Sequence, residues 1–75
     1  MKYDYILTGE RLRQRRTELK LTREKVAEEI DRSTKYYADI ERGSCSMSIK
    51  TLINISNTLH LSLDYIIFGT DSVQS

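Results

Sequence analysis

Residues 22–43 read TREKVAEEIDRSTKYYADIERG, and this stretch decides the fold. Val26, Ala27 and Ile30 fall at helical spacing on one inner face, and Tyr37, Ile40 and Glu41 do so on the next. Thr22 and Ser33 are good N-cap residues, so each stripe has its own start. Lys25 stands where a capping box would place Glu or Gln, which leaves the Thr22 cap half built. Asp31 and Arg32 interrupt the periodicity, and Gly43 ends the second stripe in the left-handed position that closes many helices. Two short helices joined by a very tight turn are predicted.

Working outward, Leu12, Arg16 and Leu19 share one face of a preceding helix, for which both Asp4 and Thr8 are candidate N-caps. Ser44-Cys45-Ser46-Met47 reads as a loop. Ser48 caps a fourth helix with Leu52, Ile55, Ser56 and Leu59 on one face. Ser62 caps a short fifth helix through Phe68, closed by Gly69. Five short helices imply a compact all-α bundle over residues 1–69, with residues 70–75 as a flexible tail.

Composition bounds what such a domain can do. The 75 residues are 39% hydrophobic and 31% charged, enough apolar side chain for one thin core. One Cys and one His exclude a disulfide framework within one chain and a Cys/His zinc site. No apolar run approaches the roughly 20 residues of a membrane span, and residues 1–5 lack the apolar core of a signal peptide. A soluble, cytoplasmic protein without metal or cofactor is expected. The net charge of +1 argues superficially against a polyanionic partner. It hides a split: residues 1–25 carry eight basic and four acidic side chains, whereas residues 26–75 carry four and seven. Such polarity can steer a polyanion without a large net charge.

The paired helices have the length and punctuation of a helix-turn-helix, with Asp31 tolerating left-handed geometry in the turn. The outer face of the second helix is Thr34, Lys35, Ala38 and Asp39, polar or small throughout, and a DNA major groove about 12 Å wide admits one α-helix. Gly9-Glu10-Arg11-Leu12-Arg13, Arg16, Leu21 to Ala27, Ser33, Ile40-Glu41-Arg42-Gly43 and Leu61-Ser62-Leu63-Asp64 follow one pattern in register. The sequence here resembles the Cro and phage-repressor helix-turn-helix family, also called the XRE family, over about 60 residues.

That resemblance implies roles. Thr34, Lys35 and Asp39 match base-contacting positions, and Tyr36 between them reaches a thymine methyl or a phosphate. Thr22 and Arg23 match phosphate contacts at the start of the second helix, as do Arg42 and Ser44 beyond the third. Arg16 and Glu41 match an ion pair linking the first helix to the third. Three departures stand out. Asp31 replaces the usual turn glycine, Arg32 replaces a small apolar plug and is expected to leave that corner wetter or to reach toward DNA, and the 44–47 loop lacks Lys and Arg.

Several residues also have simpler readings. Arg13 and Arg15 read as solvated positions off the Leu12–Leu19 stripe, and Arg11 as a weaker candidate for phosphate. Lys35 and Asp39, four apart, can pair with each other on the surface. Tyr37 reads as core. Cys45 reads as an inert thiol and His60 as a surface residue. Tyr65, Ile66, Ile67 and Phe68 exceed what one face of a short helix can bury, so they form either a dimer interface or a deep wedge, and the interface is the preferred reading.

The expected function is sequence-specific binding of double-stranded DNA by a homodimeric transcriptional regulator on a near-palindromic operator, without catalysis. The alternative is a protein-interaction module or antitoxin on the same fold, with a toxin or a polymerase as partner.

Overall fold

The computed structural model describes residues 4–69, so the expected tail at 70–75 lies outside the described residues. Five helices follow one another: α1 Tyr5–Glu18, α2 Arg23–Glu29, α3 Thr34–Arg42, α4 Ile49–Leu59 and α5 Leu63–Phe68. Each begins at a side-chain cap. The Asp4 carboxylate accepts from the amides of Ile6 and Leu7 at 2.9 and 3.2 Å, which settles the start of α1. Thr22, Ser33, Ser48 and Ser62 each accept from the amide three residues on.

The helix ends share one backbone device, although only two of them use glycine for it. Gly43 and Gly69 are left-handed, and so are Lys20, Asp31 and His60. After α2, the Asp31 amide donates to Glu28 and the Arg32 amide to Ala27, a 6→1 closure around the left-handed residue. After α1, Lys20 and Leu21 repeat that pattern onto Thr17 and Arg16.

Leu12, Val26, Tyr37, Ile55, Leu59 and Ile66 are fully buried and come from all five helices, with Ala27, Ile30, Ile40 and Leu52 completing the core. α1 crosses α3 at Gly9, where the two backbones nearly touch: a Cβ there would stand 2.6 Å from the Glu41 carbonyl carbon and 2.8 Å from the Ile40 carbonyl oxygen. On its other flank α1 is stitched to the last two helices. The Thr8 hydroxyl donates to the Ile66 carbonyl at 3.0 Å, and Arg11 Nη1 donates to the same oxygen at 3.1 Å. Arg15 Nε donates to the Leu59 carbonyl at 2.9 Å.

These bonds correct two expectations. Arg15 is not simply solvated, and Arg11 is turned to the end of α5 rather than left open for phosphate. Helix carbonyls without an intrahelical partner attract a guanidinium, and both arginines fill that need. Ile66 is also corrected. It is fully buried, packed in the core, and therefore no part of an exposed interface. Tyr65 and Ile67 are half-buried, and Phe68 remains 65% exposed. No helix among the described residues is long and apolar enough to cross a membrane.

Candidate nucleic-acid interface

The exposed surface of α3 begins at its cap. Ser33 Oγ accepts from the Tyr36 amide at 3.0 Å, which sets the first turn carrying Thr34 and Lys35. The Lys35 side chain is 84% exposed and Thr34 is half-buried at the helix start. One turn later Asp39 lies between two cations: Lys35 Nζ stands 3.2 Å from its carboxylate, and Arg42 bonds the other oxygen. The hydrogen bond from Lys35, with the charges of Lys35 and Arg42, holds the Asp39 carboxyl below the usual carboxylate range. The α3 surface is thus less positive than its lysine and arginine suggest, because one carboxylate faces both.

Tyr36 is half-buried, packed on the core, and the Arg32 guanidinium lies 5.4 Å from its ring centre. That cation–π contact explains how an arginine stands at this corner: its charge stays exposed while its guanidinium carbon lies over an aromatic face. Beyond α3, Ser44 is turned back onto the helix, its amide and hydroxyl both donating to the Asp39 carbonyl at 3.0 and 3.2 Å. Cys45 is half-buried against the core, and burial raises its thiol pKa. A raised pKa disfavours the reactive thiolate.

Behind this surface sits one buried carboxylate. The Glu41 side chain is 2% exposed and bonds two arginines. Arg16 Nε lies 2.6 Å from Oε2 and Arg16 Nη2 lies 3.3 Å from Oε1, a two-point grip. Arg16 Nη1 donates to the Leu21 carbonyl at 2.9 Å, so the same side chain also holds the chain between α1 and α2. The hydrogen bonds to Glu41 raise the Arg16 pKa further. Arg23 Nε donates to Oε1 of Glu41 at 3.0 Å from the first turn of α2. Burial, and then the neighbouring Glu41 carboxylate, raise the pKa of the Tyr37 phenol, whose oxygen is buried without a hydrogen bond of good geometry.

The structure therefore brings Arg16, Arg23 and Glu41 into one cluster and places Thr34, Lys35, Tyr36, Asp39 and Arg42 along α3 beside it. Thr22 caps α2, its hydroxyl oxygen accepting from the Lys25 amide at 3.0 Å and keeping its O–H to donate. The periodicity gave no sign that Arg23 reaches Glu41, because eighteen residues separate the two and only folding joins them. Large apolar side chains are also exposed outside the 65–68 run. Ile49 and Ile53, four apart on α4, are 71% and 42% exposed, and Tyr5 at the start of α1 is 41% exposed. The spacing of Ile49 and Ile53 off the Leu52–Ile55–Leu59 stripe was a readable signal.

The profile of a family described as the helix-turn-helix domain matches residues 9–72. The chain is 42% identical over 61 residues to YqaE of Bacillus subtilis (strain 168), an uncharacterized HTH-type transcriptional regulator. The match covers 81% of this chain and 53% of that protein, so the chain spans about half the length of this curated relative. Among solved structures, the P22 c2 repressor in complex with synthetic operator 9T superposes with a TM-score of 0.81 at 28% identity, covering 84% of this chain and 96% of that one. The restriction-modification controller protein C.AhdI from Aeromonas hydrophila gives a TM-score of 0.80 at 25% identity, covering 85% and 97%.

Proposed function

Because the chain belongs to the helix-turn-helix domain family, of the Cro and phage-repressor-like type, we propose that it is a transcriptional regulator that binds specific sequences in double-stranded DNA. The observation that carries this reading is the α3 surface. A lysine almost fully exposed, flanked by Thr34 and Tyr36, rises from a helix whose inner face is locked by Tyr37, Ile40 and Glu41. Rigid presentation of a few polar side chains is what groove recognition requires. In this reading Thr34, Lys35, Tyr36 and Asp39 face the bases, while Thr22, Arg23 and Arg42 lie along the phosphates, and Ser44 joins them only when its hydroxyl turns from the Asp39 carbonyl.

The regulator acts as a homodimer. Phe68, with the half-buried Tyr65 and Ile67, supplies an apolar surface on α5, and a second copy related by a two-fold axis would cover it. Two α3 helices then read half-sites about 34 Å apart, one turn of a near-palindromic operator. Selection from a random duplex library tests the whole reading: a palindromic consensus is expected. Absence of any binding to random duplex at low salt, or binding that ignored salt, would overturn it.

A second reading draws on the exposed Ile49, Ile53 and Phe68. Exposed apolar side chains also suit a different protein partner, as in an antitoxin that holds a toxin. Sedimentation of the isolated chain separates the two, since a self-associating surface gives a dimer at high micromolar concentration.

A further inference from the structure

The carboxylate of Glu41 holds more than a structural ion pair requires. Arg16 alone meets its two oxygens, and Arg16 is largely withdrawn from any ligand: each of its three nitrogens already bonds Glu41 or the Leu21 carbonyl, and its side chain is only 13% exposed. Arg23 is different. It is 45% exposed, it touches Glu41 through Nε alone, and its two terminal nitrogens make no hydrogen bond among the described residues. Two guanidinium groups on one carboxylate leave one positive charge unneutralised, on the side that faces solvent.

We propose that Glu41 is a positioning residue for the DNA backbone: it grips Arg23 by Nε, so that the terminal nitrogens of Arg23 stand outward as a fork for one phosphate. The inference rests on the DNA-binding reading and adds a mechanism to it. A guanidinium is planar, so fixing Nε orients both remaining nitrogens, and the ordering of a long side chain is met before the ligand arrives. Glu41 belongs to α3, two residues from Asp39 and six from Lys35. The phosphate fork on α2 is therefore tied to the helix that reads the bases, and the spacing between the backbone contact and the base contacts is held by one buried side chain. A lysine at position 23 keeps the charge but has one nitrogen, which cannot bond Glu41 and present a two-point fork together.

Fluorescence-anisotropy titrations of the full chain, as wild type, Arg23→Lys and Arg23→Ala, test this on a selected operator duplex and on random duplex over a salt series. Circular dichroism verifies folding, which Arg16 maintains in both variants by keeping Glu41 paired. Arg23→Lys is expected to bind both duplexes weaker by on the order of tenfold, the effect of one charged hydrogen bond. Arg23→Ala is expected to lose about 0.9 from the slope of log affinity against log salt. An Arg23→Lys affinity within about twofold of wild type overturns the positioning role, because a point charge would then suffice. An unchanged slope for Arg23→Ala overturns the phosphate contact. Failure of the wild type itself to bind either duplex at low salt is a separate result and defeats the DNA-binding reading instead.

Discussion

Gly9 of α1 lies against the backbone of Glu41 on α3, so closely that a single added methyl would stand 2.6 Å from the Glu41 carbonyl carbon. The residue that bonds Arg16 and Arg23 through its side chain is thus also a point of close backbone approach between the two helices. A mid-helix glycine ordinarily weakens a helix by roughly 0.5–1 kcal/mol relative to alanine. Here the lack of a side chain is what lets α1 seat on α3.

Gly9→Ala should therefore destabilise despite the gain in helix propensity. Backbone atoms cannot swing aside as a side-chain tip does, and overpacking costs about 1–3 kcal/mol, with the upper end expected where the obstacle is main chain. Urea denaturation measures it; a variant as stable as wild type would mean that the helices separate without loss.

Glu41→Ala leaves Arg16 without its partner at a largely buried site. The expected loss is about 3–5 kcal/mol. In a domain of this size that lowers the melting temperature by on the order of 15 °C or more. An unchanged thermal melt would show that the cluster contributes nothing to stability.

Asp39 makes a prediction for pH. Its folded pKa is lowered by the Lys35 hydrogen bond and the charges around it, so it adds stability above the unfolded carboxyl value of about 3.9 and loses it as pH falls through the lower folded value. The loss is confined to pH below about 4. A carboxyl NMR titration should show a depressed midpoint that moves up in Lys35→Ala. Asp39→Asn should tighten binding to random duplex and steepen its salt dependence, because Lys35 and Arg42 lose the carboxylate between them.

Lys20 and Asp31 carry φ of 60° and 59°, where a Cβ is strained. Left-handed geometry costs an L residue roughly 1–2 kcal/mol, and glycine avoids that while losing part of it to chain entropy. Lys20→Gly and Asp31→Gly should each stabilise by up to about 1 kcal/mol, read from the urea midpoint. His60, at φ 57°, provides the same test at the end of α4.

Phe68 and Ile66 are two residues apart and predict opposite outcomes. Ile66→Ala opens a cavity in the core and should cost about 2–5 kcal/mol. Phe68→Glu should leave the folded chain intact and abolish dimer formation in sedimentation. A dimer that survives Phe68→Glu would move the interface elsewhere.

The order of the helices, the starts of α2 to α5 and the tight turn between α2 and α3 were legible in the sequence, because caps and 3.6-residue periodicity are local properties of the chain. The start of α1 was not, since Asp4 and Thr8 both stood as caps for it. Thr22, Ser33, Ser48 and Ser62 stand where helices begin for the same reason: an unpaired amide needs a nearby oxygen, and the chain supplies it three residues away. The inward stripes Val26–Ala27–Ile30 and Leu52–Ile55–Leu59 were readable on the same grounds.

Direction and partnership of the long polar side chains were decided by tertiary structure alone. Arg11, Arg13, Arg15 and Arg16 look alike in sequence, yet Arg11 and Arg15 cap the ends of α5 and α4 and Arg16 holds a buried carboxylate. Arg23 likewise turns to Glu41, and Ile66 goes inward while Phe68 stays out. A guanidinium on a flexible stem reaches whichever carbonyl or carboxylate the fold brings near, and apart from the Leu21 carbonyl and the Glu18 carboxylate those partners lie 18 to 56 residues away. Local sequence determined where the helices are. Which charges remain for a ligand depended on contacts that exist only once α1, α3 and α5 have packed.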